Sequence, residues 1–243
     1  MNGTGADVDD GKEPMSQIPS VPGRFFFSGQ MAHLLLLIVL LAGAFLLADF
    51  KPLRESQLWG IGTRVWFAIA LAVPIVHQVF VWIAWRSEIC LGTVTRRLGS
   101  HAFVIYKIVF MVLFLARPVS LTLLTIADHD SFELSIPARI VICVILGLPA
   151  AYTLYSVVRH FGIARASGID HFDESYRNLP LVKEGVFRFT DNAMYSFAFL
   201  MFWAIAVAGA SWAALVVAFF SHAYIWVHFF CTERPDMKII YRS

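Results

Sequence analysis

The chain of 243 residues is 58% hydrophobic and only 15% charged, more apolar surface than a water-soluble domain can bury. Its formal net charge of +2 is spread among loops, with no basic run interleaved with aromatics, which excludes a nucleic-acid footprint. The three cysteines, Cys90, Cys143 and Cys231, are odd in number and sit in or beside apolar segments, so they read as reduced packing residues and not as a disulfide framework.

Residues 1–30 are rich in Gly, Pro, Asp and Ser, lack the basic start and apolar stretch of a secretory signal, and are expected to form a disordered tail. The remainder, 31–243, is expected to be a single transmembrane helical domain. A first span covers 31–48, ending at Asp49 with Lys51, Pro52 and Arg54 beyond it. A second covers the 21 uncharged residues between Arg64 and Arg86, with Trp82 and Trp85 near one end, where amphipathic rings favour the headgroup zone. A third, 101–127, is interrupted by Lys107 and by Arg117-Pro118. An arginine at mid-bilayer costs about 3 kcal/mol on insertion scales unless it finds a partner, so Arg117 is expected to snorkel towards an interface from a kinked helix, with a buried functional arginine as the alternative.

The fourth span is 140–158, closed by Arg159 and His160. From 192 to 232 there are 41 residues without a formal charge. As one helix they would run about 60 Å, twice the hydrocarbon thickness, so they must fold back. Gly209-Ala210-Ser211 is the break, giving helices at 193–208 and 212–231 joined by a tight turn. The fold expected is therefore all-α and integral to the membrane, with about six spans and a closing helical hairpin. In that arrangement 14 of the 19 Lys and Arg residues fall on the side of the two termini, which places both in the cytoplasm, in a bacterial inner membrane or the endoplasmic reticulum.

The connection 159–192 spans 34 residues and is too rich in aromatics and glycines for a plain linker. It emerges on the same side as the segment after the last span, Thr232-Glu233-Arg234-Pro235-Asp236, so one site built from both is geometrically allowed. Gly60-Ile61-Gly62 lies next to a membrane span and not at a strand-to-helix turn, and there is no phosphate loop, which excludes a Rossmann-type site. No Gly-x-Ser-x-Gly elbow occurs. His222 and His228, six apart, fall on different helix faces, and no metal site is expected.

The run Gly185-Val186-Phe187-Arg188-Phe189-Thr190-Asp191-Asn192-Ala193-Met194-Tyr195, an apolar hairpin, and then Thr232-Glu233-Arg234-Pro235-Asp236-Met237 and Tyr241 resemble the membrane phospholipid (phosphatidylethanolamine N-) methyltransferases and the isoprenylcysteine carboxyl methyltransferases, in that order of parts. The resemblance covers about 150–241 and is closer to the phospholipid branch. Arg159-His160-Phe161-Gly162-Ile163 resembles the stretch where that branch carries a Gly-x-Gly element. Ala193 stands where the family has Pro, and Thr232-Glu233 where two acids are usual.

The resemblance implies an S-adenosylmethionine-dependent enzyme acting on a membrane lipid, with a cofactor site drawn from His160, Gly162, Gly185, Asn192, Tyr195, Tyr224, His228 and Glu233, and with Glu233 or Asp191 as the catalytic acceptor of the amine proton. Phosphatidylethanolamine or a partly methylated form is the expected acceptor. A carboxyl methyltransferase of isoprenylated cysteine, or a non-catalytic lipid-binding scaffold of the same fold, are the alternatives.

On local grounds alone, Asp191 and Asn192 read as a helix N-cap, which also presents free N–H groups suited to an amino-acid-like ligand. In the last span Tyr224, His228 and Thr232 share one face, whereas His222, Trp226, Phe229 and Glu233 share another. His228 is expected to face the pocket and His222 to be a hydrogen-bonded packing residue.

Overall fold

The computed structural model describes residues 21–51, 53–180 and 182–241. The long apolar runs become helices because lipid cannot hydrogen-bond a backbone, so each segment must satisfy its N–H and C=O groups internally. They are α1 (Gln30–Phe50), α2 (Thr63–Leu91), a short α3 (Thr93–Leu98), α4 (Ala102–Ala127) and α5 (Ile136–Ser156). After these come a one-turn α6 (Ile163–Ala166), then α7 (Leu200–Ala208), α8 (Trp212–His228) and α9 (Arg234–Ile240). The only sheet among the described residues is a hairpin of β1 (Gln57–Leu58) and β2 (Ile61–Gly62), whose connecting Trp59 and Gly60 both have positive φ, as a type I′ turn requires.

Among the described residues five helical stretches are long and apolar enough to cross a membrane, and Met194–Ala208 is a shorter apolar helix. The last hairpin is present, but its first arm is only about 22 Å long against a hydrocarbon thickness of about 30 Å. Helix α1 packs on α8, α2 on α4 and α8, and α5 on α7. Large apolar side chains such as Leu35, Val39, Leu46, Val112, Ile145 and Leu148 point outwards, the pattern of helices whose outer face meets lipid.

The hairpin turn forms at the expected place. Ala210 takes the left-handed conformation, and the Ser211 hydroxyl accepts the Ala214 N–H at 3.0 Å to cap α8. Asp128, at the end of α4, holds this turn from outside by accepting from the Ser211 hydroxyl and the Ala213 N–H.

Three expectations are corrected. Segment 1–30 was expected to be a disordered tail; residues 1–20 lie outside the described residues, but Gly23–Phe27 form a 3-10 turn packed on α2. Arg86 was expected at the water boundary. Helix α2 instead runs on to Gly92, where a left-handed glycine ends it, and Arg86 is fully buried. Its Nε lies 2.6 Å from Asp236, its guanidinium covers the Phe25 ring at 3.9 Å, and it donates to the carbonyls of Phe25 and Thr232. Arg117 does not snorkel. It sits about 15 Å from the Ala127 end of α4, turned inwards with its guanidinium 5.0 Å from the Phe199 ring centroid, and only 5% exposed.

Candidate active site

Among the described residues three π-helical turns, Val157–Phe161, Met194–Ala198 and Phe229–Glu233, follow α5, precede α7 and follow α8. A π turn inserts one residue into a helix, changes which side chains face inwards, and recurs at functional sites. All three contribute to the wall of one cavity of about 240 Å³, completed by α2, α4 and α6.

The last of these turns overturns the expectation that His228 and Glu233 must point to different faces. In a continuous α-helix residues five apart diverge. With the π turn starting right after His228, both line the cavity. Glu233 accepts a hydrogen bond from the Tyr195 hydroxyl, so the loop-side and hairpin-side segments meet through their side chains. His228 is 2% exposed, its ring centroid is 5.8 Å from that of Trp85, and its Nδ1 has no hydrogen-bond partner. His222 lies elsewhere and accepts the Trp203 indole N–H at 3.1 Å, as a packing histidine does.

The other sequence-derived candidates fall into separate groups. Tyr224 stands behind His228: its hydroxyl is 2.9 Å from His33 Nε2, and it lines an outer groove between α1 and α2. His160 pairs with Glu184 at 2.9 Å on the surface side. Gly185 lies beside it with φ +58, where a Cβ would come within 2.7 Å of the Ser156 hydroxyl. The pocket wall does not include His160, Gly162, Gly185, Asn192 or Asp191. Asp191 is exposed and pairs loosely with Lys183 at 3.4 Å. Neither it nor Asn192 caps the following helix; the Thr190 hydroxyl takes the Asn192 N–H at 3.2 Å, because the chain approaches through a turn.

Sequence reasoning missed most of the α2 and α4 wall. His77, Gln78 and Trp85 line the cavity, as does Arg117. Polar residues inside an otherwise apolar span were the available signal. Trp85 also stacks on His171 at 4.0 Å, and His171 lies 3.5 Å from Asp236, so the cavity wall is braced by the buried Arg86–Asp236 pair.

Fold and site together define a helical integral membrane protein whose closing hairpin and preceding loop enclose a cavity with a carboxylate, a tyrosine and a histidine on its wall. Residues 138–243 match the family described as phospholipid methyltransferase, which supports the family expected from the sequence and extends it to include α5. No curated protein and no solved structure shows significant similarity to the chain. Helices α1 to α4 lie outside the matched region.

Proposed function

We propose that the chain is an S-adenosylmethionine-dependent methyltransferase of the amine headgroup of a membrane phospholipid, such as phosphatidylethanolamine, with both termini in the cytoplasm. The observation that carries this reading is the Tyr195–Glu233 hydrogen bond at the cavity wall, joining the two segments of family resemblance within the matched region. The wall suits such a cofactor. Trp85 offers an aromatic ring on the wall that attracts a cation such as a sulfonium, and His228 offers a buried nitrogen without a partner.

When bound, S-adenosylmethionine supplies a methyl group whose C–S bond breaks as the acceptor nitrogen forms the C–N bond. The chain's own task is to hold the acceptor in line and take its proton. A primary ammonium has a reference pKa of about 10, so at neutral pH it must lose a proton before its lone pair can attack. Glu233 is the proton acceptor in this reading, and Tyr195 orients its carboxylate. Asp191 stands outside the cavity and is left with no part in the step.

Lipid mass spectrometry of a host lacking methylated phospholipids, with and without the chain, tests the assignment. Methylated aminolipid is expected only with the chain present, and S-adenosylhomocysteine should bind the purified protein saturably. Absence of both favours a non-catalytic scaffold. Cofactor binding with methylation of a prenylcysteine carboxylate, and none of an aminolipid, favours the carboxyl methyltransferase.

A further inference from the structure

The inner part of the same cavity carries a set of donors with nothing to donate to. Arg117 is 95% buried or more, yet its Nε and Nη2 have no hydrogen-bond partner. Its guanidinium face is held by the rings of Phe199 and Phe202 at 5.0 and 5.6 Å, which leaves the N–H edge free to point elsewhere. His77, 3% exposed, has neither ring nitrogen partnered, and His228 adds an unpartnered Nδ1. All three line the cavity. A guanidinium has only donors and never gives up its charge, so a buried one without an acceptor calls for an anion to complete it. The one carboxylate on the cavity wall, Glu233, is engaged by Tyr195, and no ion pair to Arg117 exists among the described residues.

The cavity also has an apolar way out. Its lining includes Phe114, Val158 and Ile163, which are 38%, 66% and 46% exposed on the outer surface of the helices. A ligand with an anionic group inside and a hydrocarbon tail passing between these residues would leave the tail in the bilayer. Arg117 and His77 lie outside the family-matched region, so this feature belongs to the chain's own N-terminal helices.

We infer that Arg117, His77 and His228 form a subsite for the anionic group of an amphiphilic acceptor, a phosphodiester or a carboxylate, reached from the lipid side. Naming the ligand an acceptor rests on the methyltransferase reading; the anion subsite itself does not. Arg117 is a binding residue here and has no part in proton transfer.

The test measures binding to the purified full-length chain in detergent, without cofactor, for two probe pairs that differ only in the anion. Dihexanoylphosphatidylmethanol is compared with dihexanoylglycerol, and N-acetyl-S-farnesylcysteine with its methyl ester. In one pair or both, the anionic member should bind about tenfold tighter or more, the worth of a charge-assisted hydrogen bond, and the pair that shows it identifies phosphodiester or carboxylate. Arg117→Met should abolish the preference and Arg117→Lys should keep part of it. Should Arg117→Met not fold, Arg117→Lys and His77→Phe make the same comparison, each expected to shrink the ratio.

No preference in either pair, or a preference untouched by these substitutions, overturns the inference. So does loss of S-adenosylhomocysteine binding in Arg117→Met with the lipid preference intact, which would assign the arginine to the cofactor's carboxylate. Anion preference without any methyl transfer would leave the subsite standing and remove only the catalytic reading.

Discussion

Asp236→Asn places the heaviest load on the tertiary structure for the smallest change in shape. Both partners of the Arg86–Asp236 pair have fully buried side chains, with 2.6 Å between Nε and Oδ1. Removing one charge of such a pair costs about 3–5 kcal/mol, because the other is left in a medium that solvates it poorly. Arg86 keeps two carbonyls and the face of Phe25, so the lower end applies, about 3 kcal/mol or a roughly 150-fold change in the folded-to-unfolded ratio. The double variant Arg86→Met/Asp236→Leu takes both charges away and should recover most of that loss. Unfolding in mixed micelles by titration with dodecyl sulfate, on the wild type, Arg86→Met, Asp236→Leu and the double, yields the coupling energy, and the same titration on Asp236→Asn gives its loss. A loss below about 1 kcal/mol in Asp236→Asn, or a coupling near zero, would refute the view that this pair ties α2, α9 and the Thr232 carbonyl together.

Four further outcomes are expected. Gly168 has φ +84 and lies against the Trp85 ring, so Gly168→Ala should destabilise by about 2–4 kcal/mol from left-handed strain and overpacking, read as a lowered melting temperature in detergent. Burial, and then its hydrogen bond to Asp170, push the Tyr241 hydroxyl up to about 12. Its stabilising contribution is complete below the unfolded value of about 10 and is lost as pH rises through 12; the alkaline absorbance step missing from Tyr241→Phe should fall near the higher value. Glu233→Gln should lose about 100-fold or more in turnover, the range for a positioned proton acceptor, whereas Asp191→Asn should stay within about twofold of wild type by radiolabelled methyl transfer. Single cysteines at the exposed positions 175 and 133, in a chain without Cys90, Cys143 and Cys231, should label from opposite sides of sealed vesicles; labelling from one side would reject the proposed topology.

Hydropathy alone was enough to predict a helical membrane protein, since a long uncharged run has only one stable way to bury its backbone in lipid. The turn at Gly209-Ala210-Ser211 was legible for a related reason: a 41-residue apolar run must reverse, and small residues with a capping serine mark where. The family resemblance was legible too, because it lies in a contiguous loop motif and a short segment after the hairpin.

The tertiary structure decided what one-dimensional patterns cannot hold. Charge was read as a boundary at Arg86, but Asp236, 150 positions away, supplies the partner that lets it stay buried. Helical periodicity separated His228 from Glu233, yet a single π turn between them rotates both towards one cavity. Asp191 belongs to the loop run that carries the family resemblance, but the chain turns its side chain to solvent and brings His77, Trp85 and Arg117 to the cavity instead. Hydrophobicity is a property of each segment and survives in the sequence. Which polar groups are paired, and which are left facing a cavity, depends on helix rotation and on contacts between residues far apart in the chain, and these exist only once the bundle has packed.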